Sequence, residues 1–196
     1  MISFRAQVKF FLDNPDSVDQ SLFMGVFQRW IQRKALDGLL IDVADYRHVF
    51  EGPGIILIGH ESDYALENQK GRPGLLHTRK RGLEPDLQTQ LRNSLRLAVA
   101  ACELLEADTT FNPPLKFRAD EIELRFADRL QLPNRAESFD LIQADLVAVL
   151  GELYGSNPVT FAPIDQDPRY LFTVGVKAEN PVSIADLSRQ LQSVQA

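Results

Sequence analysis

Glu121-Ile122-Glu123-Leu124-Arg125-Phe126 is the stretch that decides the fold class. Apolar and charged residues alternate there with a period of two. Ile122, Leu124 and Phe126 therefore share one face of a β-strand, and Glu121, Glu123 and Arg125 share a solvated face. Upstream lies a break over residues 109–114 that ends in Pro113 and Pro114. Downstream, Phe139, Ile142, Leu146, Val149, Leu150 and Leu153 follow the three- and four-residue spacing of an amphipathic helix, and Gly155 sits where its cap belongs. Residues 159–161 and 170–176 read as two further strands. Ser183 with Asp186 three positions later marks the start of a short final helix that carries Leu187 and Leu191.

The chain before the break has a similar order. Val8, Phe10 and Leu12 form a first strand, and residues 14–17 (Asn-Pro-Asp-Ser) end it in a turn. Phe23, Val26, Phe27, Trp30 and Ile31 line one face of a helix, with Gly38 placed as its cap. Residues 39–43 and 55–58 read as a strand pair, joined as a hairpin. Residues 74–78 suggest one strand more. Pro85 opens a long helix whose buried stripe is Leu87, Leu91, Leu95, Ala98, Cys102 and Leu105.

Strand, helix, strand, strand, helix thus occurs twice. Phe4 and Phe117, Ser21 and Ser138, Gly38 and Gly155, and Gly59 and Gly175 recur 113 to 117 positions apart. The expected architecture is α+β, with internally duplicated βαββα units forming a mixed or largely antiparallel sheet packed with helices. Residues 1–108 make the first half with a basic insertion at 60–82. Residues 109–116 are the linker and 117–196 the second half, the two together forming one compact pseudo-symmetric domain.

At 196 residues the chain is long enough to bury a substantial core, and its net charge of −6 disfavours a general nucleic-acid binder. No apolar run approaches the ~18 residues of a membrane span. The single cysteine, Cys102, forms no internal disulfide and lies on an apolar helix stripe, where it reads as a core residue. With no signal-peptide pattern at the N-terminus, a cytoplasmic location is expected. A homo-oligomer is compatible with the apolar strand edges.

Against this acidic background, residues 69–83 carry Lys70, Arg72, Arg79, Lys80 and Arg81 and no carboxylate. Clustered guanidinium groups suit phosphate, carboxylate or an acidic protein surface. A solvated loop or edge strand would carry the same charges. The glycines of this segment match no nucleotide-binding pattern. Just upstream, His60 could act as acid or base, with Glu61 or Asp63 to orient it. An ordinary polar strand end has the same composition. His48, His60 and His77 show no metal-ligand spacing, so neither metal nor cofactor is expected. Asp42 and Asp45, with Tyr46 and Arg47, could line a pocket mouth, but they read better as turn formers, and the same holds for Asp165, Asp167 and Arg169 in the corresponding turn of the second half. The function expected is a non-catalytic binding, assembly or regulatory protein that engages an acidic protein partner or anionic ligand through a basic loop. The alternative is an enzyme acting on a small anionic metabolite, with His60 as acid or base and Arg79 or Lys80 holding the anion.

Overall fold

A computed structural model describes residues 5–81, 84–164 and 167–193. Phe4 and Asp165, named above, and Gly82 and Leu83 of the basic segment lie outside the described residues. Eight strands form one sheet: β1 (Ala6–Leu12), β2 (Leu40–Asp45), β3 (Ile55–Gly59), β4 (Ser62–Glu67), β5 (Gly74–Arg79), β6 (Phe117–Phe126), β7 (Val159–Pro163) and β8 (Phe172–Ala178). Among the described residues four α-helices accompany them: α1 (Leu22–Arg33), α2 (Leu87–Glu106), α3 (Ala136–Tyr154) and α4 (Ile184–Ser193). The strand order is β2-β3-β4-β5-β1-β6-β8-β7, and every neighbouring pair is antiparallel. The protein is therefore α+β, with an antiparallel sheet packed against helices.

The period-two pattern divides the sheet into two unlike faces. Val8 and Phe10 of β1, Tyr64 and Leu66 of β4, Leu75 of β5, Ile122 and Leu124 of β6 and Val174 and Val176 of β8 join one core cluster with the buried stripes of all four helices. That cluster runs across both halves of the chain. Lys9, Phe11, Ala65, Glu67, Leu76, Glu123, Arg125 and Thr173 occupy the alternate positions and lie outside it. The four α-helices thus pack on the first face and not on the second.

The helices follow their sequence pattern closely. In α1, Phe23, Val26, Phe27 and Trp30 are buried. All six stripe residues of α2 are buried, and Asp86 caps it by accepting from the Thr89 amide at 2.8 Å. Pro85 therefore lies one position before the cap rather than opening the helix. The α1 cap also differs from expectation: Lys34 takes the left-handed conformation, and Gly38 belongs to the turn beyond it. Gly155 ends α3 as expected. Ser183 and Asp186 exchange side-chain bonds with each other's amides, at 3.0 and 3.2 Å, at the start of α4.

Two features of the sheet depart from the sequence reading. Strand β4 was not expected, and residues 62–79 are not an appended loop. They form the β4–β5 hairpin, which places β5 beside β1. The spaced landmarks also differ in role: Ser138 falls inside α3, whereas Ser21 precedes α1. The neighbour relations instead read β4-β5-β1 on one side of the β1–β6 contact and β7-β8-β6 on the other, with β2-β3 as the outer hairpin. Gly54, at the entry to β3, has a positive φ of 69°, and a Cβ there would lie 2.0 Å from the Leu66 carbonyl oxygen. Only glycine fits that approach. Among the described residues, no helix is long and apolar enough to cross a membrane.

Candidate functional site

The second face carries a charge network built by strand register. Lys9 of β1 lies opposite Glu123 of β6 and Leu76 of β5. It is fully buried and paired with Glu67 at the end of β4. Burial pulls the Lys9 ammonium below its ordinary pKa even though Glu67 acts in the opposite direction. Arg125 continues the network: it meets Glu123 at 2.7 Å, Glu67 at 3.5 Å and the Gln69 side-chain oxygen at 3.1 Å.

The β4–β5 connection lies over this network. Lys70 and Gly71 both have positive φ (57° and 68°), which turns the chain back across the face. Arg72 stacks 3.7 Å from the Phe11 ring and pairs with Glu121 at 2.9 Å. The Lys70 ammonium lies 5.1 Å from the ring centre of Tyr170, on the β7–β8 connection. The first and second halves therefore touch across the open face as well as through the core.

Between these segments lies a cleft of about 270 Å³. Among the described residues, Lys70, Arg72, Arg125, Arg129 and Arg169 line it, with Glu123 as the one carboxylate, alongside Phe11, Gln69, Ile164, Tyr170, Leu171 and Thr173. Its cations come from three separate connections and one strand. Arg169 chelates Asp167, with Nε 2.9 Å from Oδ2, and holds that carboxyl at a pKa of about 2. Arg129 donates to the Arg169 main-chain oxygen at 2.7 Å. Among the described residues it pairs with no carboxylate. A second cleft of about 260 Å³ adjoins the first and shares Arg72, Glu123 and Ile164 with it. Thr160 and Ala162 of β7 and Gly175 and Lys177 of β8 occupy its open-face positions. A wider cleft of about 500 Å³ lies under the β2–β3 connection, where Phe50 is 92% exposed. Its Arg47 is neutralised by Asp45, whose carboxyl is held at about 2.

The structure splits the basic segment in two. Lys70 and Arg72 reach the cleft. Arg79, Lys80 and Arg81 leave the other end of β5, a distance of roughly 20 Å at ~3.3 Å per residue. There Arg79 pairs with Glu61 at 3.4 Å and Lys80 with Asp63 at 2.7 Å. His60 is exposed on the β3–β4 turn, its Nδ1 3.3 Å from Arg81 Nη1. Asp63 is further engaged by the Gly59 amide at 3.1 Å. The two carboxylates expected to orient His60 thus bind other groups. Cys102 is buried in the core face of α2, and burial raises its thiol pKa well above the ordinary value. Among the described residues, no cluster of three or more His, Cys, Asp or Glu side chains is arranged to hold a metal.

Sequence reasoning missed Arg125, Arg129, Arg169 and Tyr170 as site residues. Arg125 reads as one more charge on a solvated strand face. Only its register beside Lys9 turns that face inward. Arg129 and Arg169 lie in turns 40 residues apart, and no local pattern joins them.

The fold and the cleft define an α+β protein with one sheet face covered by the four α-helices and a second face that carries a charge network and a cleft. The chain matches no protein-family model, no curated protein and no solved structure.

Proposed function

We propose that this is a non-catalytic binding protein that holds an anionic ligand, or an acidic segment of a partner protein, against the second face of the sheet. One observation carries the reading: among the described residues, five cationic side chains line a cleft with one carboxylate, Glu123, beside them, in a chain of net charge −6. Such a concentration of charge against the overall sign attracts anions locally and speeds their association. Lys70 and Arg72 keep the role read from the sequence, and Arg125, Arg129 and Arg169 join them. The strand order supports descent from a duplicated unit, with β1, β4 and β5 corresponding to β6, β7 and β8. On this reading the cleft lies beside the pseudo-two-fold axis, at the seam between the two copies.

The test is titration of the protein with an octaglutamate peptide and with small oxyanions, followed by calorimetry at low and high salt. The double variant Arg129→Ala/Arg169→Ala should weaken binding by about tenfold or more, the loss expected for charge-assisted hydrogen bonds. Arg81→Ala, at the far end of β5, should leave it unchanged. Equal affinity in all three proteins would refute the assignment of the cleft.

A further inference from the structure

Resting on the anion-binding reading, we infer that the ligand is an amphipathic phosphate monoester: its phosphate sits in the electropositive cleft and its apolar group in the adjoining one. The first argument is directional. Lys70, Arg129 and Arg169 enter the cleft from three different connections, β4–β5, β6–α3 and β7–β8. A carboxylate presents two coplanar oxygens, which one guanidinium fork satisfies. A phosphate monoester presents three terminal oxygens in a pyramid, and donors converging from three sides suit that shape. Each cation keeps its contacts within the protein, so the ligand adds to a framework already in position.

The second argument is the adjoining cleft. Its charged members are matched within the protein: Arg72 with Glu121 at 2.9 Å, Lys177 with Glu121 at 3.9 Å, and Glu123 with Arg125 at 2.7 Å. What remains on the open face is Thr160 and Ala162 of β7 and Ile164 at its exit, while the Phe161 ring packs on the opposite face against Phe139 of α3. Gly175 lets the Ile164 side chain lie over β8, since a Cβ there would come within 2.4 Å of Ile164 Cγ2. Ile164 is half exposed and borders both clefts, so an apolar chain leaving the phosphate site has a continuous path past it. The side chain of Ala162 is on the open face and exposed, opposite Gly175.

Calorimetry at low ionic strength with inorganic phosphate and with butyl, hexyl and octyl phosphate tests this. Inorganic phosphate should bind, and affinity should rise about twofold per methylene, half the free energy of full burial. Arg129→Ala should weaken the whole series by about tenfold. Ala162→Trp should abolish the chain-length gain and leave inorganic phosphate unaffected. Thr160→Trp, on the same exposed strand face, repeats the test should the first variant misfold. A flat series with phosphate bound overturns the amphipathic ligand and leaves the anion site standing. Binding of the octaglutamate peptide with no phosphate in any form also overturns it and favours a protein partner. Failure of every anion to bind overturns both readings.

Discussion

Replacing Glu67 by glutamine removes the counter-charge of a lysine with no exposure to solvent. Lys9 is 0% exposed and has Glu67 as its ion-pair partner. Arg125, 3.5 Å from the same carboxylate, would then add repulsion. Breaking a buried pair by removing one member costs about 3–5 kcal/mol. For a chain of this length that corresponds to a fall in Tm of roughly 10 °C. The reverse change, Lys9→Met, should cost only about 1 kcal/mol, because Glu67 retains Arg125 and the Gln69 amide at 3.0 Å while methionine lies against Phe11. Urea unfolding followed by the fluorescence of Trp30, the one tryptophan and a buried one, reads both values. The pH dependence gives a second signature. The folded Lys9 pKa lies below its ordinary 10.5, so within that window the unfolded chain holds the proton more tightly. Stability therefore rises with pH between the folded value and 10.5. Losing Glu67 lowers the folded value further and extends the rise toward neutral pH. If Glu67→Gln costs no more than Lys9→Met, the buried ammonium is not the group that needs compensation and the network reading fails.

Other residues make separate predictions. His77 is fully buried, and burial, with Arg79 and Arg96 adding repulsion, holds its pKa at about 3 against an ordinary 6.5. Stability should therefore be lost as pH falls from about 6.5 toward 3, and thermal melts of His77→Leu should show that slope removed. Tyr64 and Tyr154 form a contrasting pair. The Tyr64 hydroxyl is buried with no partner among the described residues, whereas Tyr154 donates to the Ala119 carbonyl at 2.8 Å. In urea titrations Tyr64→Phe should be neutral or stabilising, and Tyr154→Phe should cost about 1 kcal/mol. Gly54→Ala should lower Tm, because the new Cβ meets the Leu66 carbonyl in a backbone conformation that already disfavours it.

Where a residue's role depends on its near neighbours in sequence, it was legible. The α1 and α2 stripes, the alternation in β6, the Gly155 cap and the Ser183–Asp186 box all lie within a few residues and were read correctly. Strand β4 escaped because Ser62, Asp63 and Glu67 make it look like a polar loop. Its polarity is explained only by partners on other strands, Glu67 by Lys9 and Asp63 by Lys80. Gly38 was read as a cap by position, yet Lys34 reaches the left-handed region first.

The candidate site was half legible for the same reason. The sequence by itself determined that Lys70 and Arg72 belong to a basic segment in an acidic chain, and that an antiparallel-type period-two pattern would set charge on one strand face. Hydrophobic periodicity and local charge are properties of neighbours in sequence, so one strand suffices to reveal them. Only the tertiary structure decided that β5 pairs with β1, that Arg79, Lys80 and Arg81 face away from the cleft, and that Arg129 and Arg169 face into it. Those outcomes depend on strand order and register between segments tens of residues apart. They are set by how the whole core packs, and no local pattern carries them.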